Sequence, residues 1–152
     1  MNIVLYQPEI PPNTGNIART CACTGSSLHL IRPLGFSTDE KALRRAGLDY
    51  WDKLDIYYYD NLEELFAQYQ DNNFYFATKF ADNYYDEVEY QEDDFLVFGR
   101  ETAGLPDYIL ESHSEDCIRI PMGENIRSLN LANAVAIILY EGLRQNNWAS
   151  LV

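Results

Sequence analysis

Apolar and polar positions along the chain form short apolar runs separated by longer amphipathic stretches, which predicts alternating strands and helices. The apolar runs predict six strands, at residues 2–6, 28–31, 55–59, 73–78, 94–98 and 117–120. Capping residues, prolines and glycines between them delimit five helices, at residues 13–24, 39–46, 61–69, 106–111 and 128–141. This alternation favours an α/β fold, with a mostly parallel sheet and helices on both faces.

The last predicted helix is apolar on nearly every side, since only Asn133 interrupts the apolar run that precedes Glu141. Such a pattern predicts a buried helix rather than one that lies on the surface. Ser128 and Asn130 stand at its opening, where their side chains can cap free N–H groups. A polar loop at residues 121–127 leads directly into this helix, so this junction is the first place to look for a ligand.

The length of 152 residues suits one domain, residues 1–152, with a core of its own. No apolar stretch reaches the roughly 18 residues that a membrane span needs. The N-terminus lacks the basic start and long apolar run of a signal peptide. We therefore expect a protein of the cytoplasm that has no membrane partner.

Cysteine and histidine are too few and too scattered to predict a metal site. Cys21, Cys23 and Cys117 form no C-x-x-C pair, and His29 and His113 lie far apart in the sequence. We expect reduced cysteines that pack as small hydrophobic residues, and no bound metal.

The formal net charge of −13 argues against general nucleic-acid binding, which normally requires a basic face. The charge is unevenly distributed, because residues 82–94 contain seven acids and no Lys or Arg. We expect residues 81–93 to form an exposed acidic loop.

Three polar loops follow predicted strands, at residues 8–19, 99–106 and 121–130. Because ligands bind beyond the carboxyl ends of parallel strands, these loops should converge. In the first, Asn16 and Arg19 share one face near the positive end of a helix, which suits a phosphate or a hydroxyl; a plain surface arginine is the alternative. In the second, Gly99 and Gly104 would let a ligand approach the backbone. The first loop matches neither of the phosphate-binding glycine motifs G-x-x-x-x-G-K-[ST] and G-x-G-x-x-G.

Three ordered motifs occupy these loops: N-x-G-N-x-x-R at residues 13–19, F-G-R-E-T-A-G-L-P at 98–106 and I-P-M…R-S-L-N-L-A-N-A at 120–134. Together they resemble the three motifs of the SPOUT methyltransferases, and within that class the TrmL (YibK-like) tRNA 2′-O-methyltransferases. The resemblance also takes in residues 2–19 and 32–51, and it spans nearly the whole chain apart from the acidic segment.

The resemblance implies a SPOUT fold, in which the C-terminal part of the chain passes through a trefoil knot, a rare exception among proteins. It also implies a homodimer that binds S-adenosylmethionine in the knot and methylates the wobble nucleotide 34 in the anticodon loop of tRNA. The cofactor-binding residues that it implies are Phe76, Ala77, Thr78, Gly99, Gly104, Ile120, Met122, Ser128 and Leu129.

The catalytic residues that the resemblance implies are Arg19, Asn13, Glu101, Ser128 and Asn130. Because the methyl donor is an activated sulfonium, catalysis requires mainly alignment and help with the proton of the ribose 2′-OH. Arg19 would assist this deprotonation, alone or through a tRNA phosphate, and Asn13 would position the nucleotide. Since arginine stays protonated, stabilisation of the developing alkoxide by Arg19 is an open alternative.

Two other functional classes remain open from the sequence. One is a non-catalytic RNA-binding dimer, against which the intact catalytic set argues, and the other is a hydrolase, which lacks a nucleophile–base pair. A different RNA position is a third possibility. An acidic chain must meet RNA through local basic patches, so weak and strongly salt-sensitive binding is expected. The residues of these patches are Arg19, Lys41, Arg44, Arg45, Arg100 and Arg127.

Overall fold

A computed structural model of the protein describes residues 1–37, 51–148 and 151–152. Within these ranges seven strands form one sheet: β1 (Asn2–Tyr6), β2 (Ser27–Ile31), β3 (Ile56–Tyr59), β4 (Phe74–Ala77), β5 (Asn83–Tyr84), β6 (Phe95–Phe98) and β7 (Cys117–Arg119). Their order across the sheet is β3-β2-β1-β6-β4-β7-β5, and all neighbouring strands are parallel. The parallel sheet predicted from the sequence is confirmed.

The same ranges contain four α-helices: α1 (Pro11–Thr24), α2 (Leu62–Gln68), α3 (Asp107–Ser112) and α4 (Leu131–Gln145). Two short 3₁₀ turns, Trp51–Lys53 and Ser114–Asp116, precede β3 and β7. The helix predicted at residues 39–46, together with Lys41, Arg44 and Arg45, lies outside the described residues. No helix of the described chain is long and apolar enough to cross a lipid bilayer.

Helices cover both faces of the sheet, and alternate residues of each strand point to opposite sides. On β1, Ile3 and Leu5 pack into a cluster with residues of α1 and α4, whereas Val4 packs into a second cluster with residues of α2 and α3. All four residues of β6 are buried. Each fully buried Leu, Ile or Phe side chain stabilises the fold by roughly 1.5–3 kcal/mol.

Helix α1 begins two residues earlier than predicted. Its N-cap is Ile10, which makes no side-chain capping bond, and Pro11 and Pro12 occupy its first positions. Proline suits these positions because its fixed φ is helical and its missing N–H would have no partner there. Asn13 is therefore not the cap, and its side chain is free for other contacts. Gly25, at φ 65°, ends the helix as predicted.

The prediction that the last helix is buried all round is wrong for a single chain. Helix α4 buries Val135, Ile138 and Leu139 against the sheet and α1, but Ile137 is 37% exposed and Tyr140 45% exposed. The sequence pattern shows that these side chains are apolar but not which neighbour covers them. The helix starts at Leu131, with Asn130 as its cap and Ser128 in the preceding loop.

The acidic segment at residues 81–93 is not the plain exposed loop that was predicted. It contains β5, which pairs with β7, and it buries Tyr90 to 3% exposure. Tyr90 lies across the end of α4: its N–H donates to Oε1 of Gln145 (2.9 Å), and its carbonyl accepts from Nδ2 of Asn146 (3.1 Å). Burial of an aromatic ring and these contacts hold the segment on the fold, although most of its acids face solvent.

Candidate active site

The loops that follow β1, β6 and β7 meet beyond the carboxyl ends of the strands, as the sequence predicts. They surround a cavity of about 580 Å³, within the size range of small-molecule sites. The end of β4 and the first turns of α4 complete its wall.

Glu101 connects the second loop to the first. Its carboxylate accepts hydrogen bonds from the backbone N–H groups of Glu9 (2.9 Å) and Ile10 (3.1 Å), and from Nδ2 of Asn13 (3.2 Å). An ionised carboxylate only accepts hydrogen bonds, so these three donors match its chemistry. Glu101 therefore fixes the start of α1 relative to the end of β6.

Asn130 connects the third loop to the first. Its Nδ2 donates to Oδ1 of Asn13 (2.9 Å), and its Oδ1 accepts from the N–H groups of Ala132 (2.9 Å) and Asn133 (3.4 Å). The orientation of both amides follows from these partners, because the helix N–H groups need an acceptor and Glu101 needs a donor. The Glu101–Asn13–Asn130 network thus joins all three loops.

A second contact between the first two loops was not predicted from the sequence. The carboxylate of Glu9 accepts from the backbone N–H of Thr102 (3.1 Å) and from its Oγ1, which lies 2.8 Å from one carboxylate oxygen and 3.0 Å from the other. Glu9 and Glu101 therefore receive hydrogen bonds from each other's loop, which holds the two loops together from both sides.

The glycines of the second loop form a tight turn. Arg100 and Gly104 exchange two backbone hydrogen bonds (3.1 and 2.9 Å), and Gly104 has φ 71°, a conformation that glycine adopts without strain. A Cβ added at Gly99 would lie 2.1 Å from the carbonyl carbon of Gly104. Both glycines are therefore required by the turn itself.

All of the predicted cofactor-binding residues except Phe76 line the cavity. Phe76 is fully buried and stacks on the His113 ring, with 4.5 Å between ring centroids, on the opposite side of the sheet from α4. Its position in the middle of β4 points its side chain into the core. The predicted residues that line the cavity are Ala77, Thr78, Gly99, Gly104, Ile120, Met122, Ser128 and Leu129.

Of the predicted catalytic residues, Asn13, Glu101, Ser128 and Asn130 line the cavity. Arg19 is not among the residues that form its wall; it lies two turns further along α1 with its side chain exposed. The structure of one chain therefore brings four of these five side chains together and leaves Arg19 outside.

Four cationic side chains line the cavity within the described chain, although the net charge is −13: Lys79, Arg100, Arg119 and Arg127. The acids on the same wall are Glu101 and Asp107. Sequence reasoning missed Lys79 and Arg119, together with the exposed Phe80 between β4 and β5. Lys79 directly follows the strand predicted at residues 73–78, and Arg119 lies near the end of the strand predicted at residues 117–120; these positions were the available signal.

Strongly perturbed titratable groups lie in the core and not at the cavity. Burial lowers the pKa of His29 to about 4 and raises the pKa of the Cys21 thiol to about 12. Cys21 and Cys117 are buried, whereas Cys23 is exposed. The described residues bring together no group of three or more His, Cys, Asp or Glu side chains that could hold a metal ion.

The sequence profile of the SpoU rRNA Methylase family matches residues 1–140. The chain belongs to this family. It is 57% identical over 154 residues to a Listeria monocytogenes protein provisionally named tRNA (cytidine(34)-2′-O)-methyltransferase, covering 99% of this chain and 91% of that protein. It is 47% identical over 152 residues to the tRNA (cytidine(34)-2′-O)-methyltransferase of Methylovorus glucosotrophus, covering 99% of each.

Solved structures of SpoU-type enzymes have the same fold. A Bacillus anthracis protein provisionally named an RNA methyltransferase matches with a TM-score of 0.94 at 53% identity, over 99% of this chain and 96% of that one. A structure that concerns 2′-OH methylation of C/U34 on tRNA matches with a TM-score of 0.89 at 41% identity, over 96% and 95%. An AdoMet-bound rRNA methyltransferase from Sinorhizobium meliloti matches at 26% identity with a TM-score of 0.78, over 94% of this chain and 55% of that one.

Proposed function

We propose that this SpoU-family protein transfers a methyl group from S-adenosylmethionine to the ribose 2′-OH of nucleotide 34 in tRNA. The Glu101–Asn13–Asn130 network carries the proposal, because it holds three family motifs around one cavity. The relatives of high identity that are named for nucleotide 34 support this position over other RNA positions. A 2′-O-methyltransferase for another RNA is the second candidate, favoured by the description of the matching family and by the rRNA enzyme of lower identity.

The cavity fits S-adenosylmethionine in size and in the chemistry of its wall. Ala77, Ile120, Met122 and Leu129 supply apolar surface for an adenine ring, and Thr78 supplies a hydroxyl at the end of β4. The Gly99–Gly104 turn presents backbone rather than side chains to the cavity. When bound, the cofactor supplies an already activated methyl group.

The chain's own residues would supply alignment and help with one proton. Both ends of the Asn13 amide are bonded within the protein, so we assign Asn13 and Asn130 to positioning of the loops around the ribose. Ser128 is exposed on the third loop and is available to a hydroxyl of the substrate. A guanidinium is a poor general base, so the role that we assign to Arg19 is to stabilise the developing alkoxide or to hold a phosphate near the 2′-OH.

We further propose a homodimer in which Arg19 acts at the cavity of the partner chain. Along α4, the exposed residues Asn133, Ile137, Tyr140 and Arg144 follow a 4-3-4 spacing and so form one stripe. Ile126 and Leu129, in the loop before α4, expose 59% and 37% of their surface. Apolar surface on one helix and the loop before it is typical of an interface between subunits. Arg19 is exposed on α1, which packs against α4.

The trefoil knot of the SPOUT fold is also a proposal for this chain. Strand β7 lies beyond β4, yet the following helix α4 packs back against α1 on the other side of β4. The segment between β5 and β6 crosses the far end of α4, where Gln145 Nε2 donates to the Val88 carbonyl (3.0 Å). This crossing supports the proposal of a knot, in which the C-terminal part of the chain passes beneath the segment between β5 and β6.

The proposed place of action is the cytoplasm, where tRNA is used.

The proposed reaction is tested by incubating the purified protein with labelled S-adenosylmethionine and with bulk tRNA from a strain that lacks the gene. We expect new 2′-O-methylcytidine or 2′-O-methyluridine by nucleoside mass spectrometry with the purified protein, and its loss with Arg19→Ala. Thermal unfolding of the variant provides the folding control. Cofactor binding without methyl transfer to tRNA would favour a non-catalytic RNA-binding dimer, and transfer to rRNA alone would favour the second candidate.

A further inference from the structure

Phe80 is an exposed aromatic residue on the wall of the cavity. Its side chain is 77% exposed, in the short segment that runs from β4 past the end of β7 to β5. The Lys79 ammonium lies 4.8 Å from the centre of the Phe80 ring, within the range of a cation–π contact. The exposed ring and the neighbouring cation together offer an apolar face and a positive charge to a ligand.

Arg119 lies beside this segment at the end of β7 and has an unused hydrogen-bond donor. Its guanidinium stacks over the Tyr84 ring, with 4.6 Å between the guanidinium carbon and the ring centre, and its side chain lines the cavity. Within the described chain, Nε of Arg119 is buried and has no hydrogen-bond partner. A buried donor of this kind is costly to leave unpaired, which points to an acceptor supplied by a ligand.

The charges around the cavity identify the class of ligand. Among the described residues, four cationic side chains on the wall outnumber the two acids, Glu101 and Asp107. S-adenosylmethionine carries a sulfonium and an ammonium against one carboxylate, so it does not balance this excess of positive charge. A nucleic-acid strand does, since it carries one phosphate per nucleotide and bases that stack on exposed aromatic rings. The acids at residues 82–94 are absent from the cavity wall.

We propose that Phe80 is the stacking surface for a base of the tRNA strand that flanks the methylated nucleotide, with Lys79 and Arg119 bound to the adjoining phosphates. The inference rests on the proposed function and adds to it the residues that bind the nucleotide next to the methylated one. Tyr84 positions the Arg119 guanidinium, and Phe80 contacts the RNA directly.

Steady-state kinetics on a tRNA transcript with cytidine at position 34 test this assignment. Stacking on an aromatic ring contributes a substantial part of the affinity per base, so we expect Phe80→Ala to raise KM for tRNA about tenfold. kcat and the Kd for S-adenosylmethionine, measured by calorimetry without RNA, should stay within about twofold, because stacking acts on RNA binding alone. Phe80→Trp, which keeps the aromatic face, should restore KM.

A matched control comes from the opposite edge of the sheet. Tyr57 on β3 is an aromatic residue with 43% exposure, and Tyr57→Ala should leave all three constants unchanged. For Arg119 we expect Arg119→Ala to weaken tRNA binding and to lower the slope of log K against log salt by about 1, as the loss of one phosphate contact predicts.

Three results would overturn the inference. Phe80→Ala could weaken cofactor binding with an unchanged KM for tRNA, which would make Phe80 a cover for the cofactor. The variant could dissociate the dimer in size-exclusion chromatography with light scattering, which would make Phe80 an interface residue. It could also leave every constant unchanged. If the wild-type protein methylates no tRNA, the proposed function fails, and filter binding of tRNA by the same variants still tests the stacking surface.

Discussion

Asn13 and Asn130 lie 117 positions apart in the chain, and a hydrogen bond of 2.9 Å joins Nδ2 of Asn130 to Oδ1 of Asn13. Each amide also has a second, fixed partner: Asn13 donates to Glu101, and Asn130 caps the first N–H groups of α4. The same side chain thus starts the last helix and holds the first loop. Stability of the helix and geometry of the cavity are coupled through Asn130.

Substitution of Asn130 should separate these two effects. Asn130→Ala removes the helix cap, which is worth about 1 kcal/mol, and leaves Oδ1 of Asn13 without its hydrogen-bond donor. We therefore expect a loss of about 2 kcal/mol in the free energy of unfolding, measured with urea. Asn130→Asp keeps an acceptor at the helix start, where a negative charge is favourable, but cannot donate to Asn13. It should retain most of the stability and lose most of the methyl-transfer activity. Unchanged stability in the alanine variant would contradict the capping role.

Gly99 should tolerate no side chain. A Cβ there would lie 2.1 Å from the backbone of Gly104, so Gly99→Ala must displace the turn that borders the cavity. We expect a loss of several kcal/mol in stability, or no measurable cofactor binding in calorimetry if the variant folds. Gly123→Ala is the matched control, since its Cβ would meet only a side-chain atom of Ile126 at 3.8 Å. Equal behaviour of the two variants would refute the close-packed turn.

The sequence predicted the parts of the structure that depend on local pattern. Strand β1 and the end of α1 at Gly25 follow from apolar runs and glycine, and the convergence of three loops follows from parallel strands. Positions that depend on distant partners were not predictable. Phe76 and Ala77 are adjacent in β4, yet only pairing with the neighbouring strands decides which one reaches the cavity. Tyr90 is buried within an acidic segment because α4 lies over it, and no local pattern encodes that neighbour.

The stability of the fold should depend on pH through His29. Its ring is buried among aromatic side chains, contacts the Tyr59 hydroxyl and Asn2 Oδ1, and has a pKa of about 4, below the usual value near 6.5 because burial disfavours the charged form. Between these two pKa values the unfolded chain binds more protons than the folded one, so stability falls as the pH is lowered.

For this single group we expect a loss of roughly 3 kcal/mol between pH 6.5 and pH 4, measured by urea unfolding at a series of pH values. His29→Gln keeps polar partners for Tyr59 and Asn2 and removes the titration. The difference between the two proteins isolates His29 from the carboxylates. Parallel pH profiles for wild type and variant would show that His29 is not buried in its neutral form.

The proposed dimer predicts a specific response to charge on α4. Ile137→Arg places a cation between Asn133 and Tyr140 on the exposed stripe of α4 and should convert the dimer to a monomer in light scattering, because an unpaired charge in an interface is costly. Tyr57→Arg, at a similarly exposed position on β3, should remain dimeric. A dimeric Ile137→Arg protein would place the interface elsewhere.

If Arg19 acts at the cavity of the partner chain, two inactive variants should complement each other in a mixed dimer. Arg19→Ala and Asn130→Ala chains are each expected to be inactive alone, but a mixed dimer contains one cavity with an intact Asn130 and an intact partner Arg19. Unfolding and refolding the two chains together should restore about a quarter of the wild-type activity, since half of the dimers are mixed and each has one complete site. If no activity returns, Arg19 acts within its own chain.

The most direct test concerns the acceptor itself, the 2′-OH of nucleotide 34. Synthetic tRNAs that carry a single 2′-deoxynucleotide at position 32, 34 or 35 are incubated with the protein and labelled S-adenosylmethionine, and incorporation of the label is measured. The account predicts transfer to the tRNAs modified at positions 32 and 35 and none to the tRNA that lacks the 2′-OH at position 34. Undiminished transfer to the 34-deoxy tRNA would contradict it.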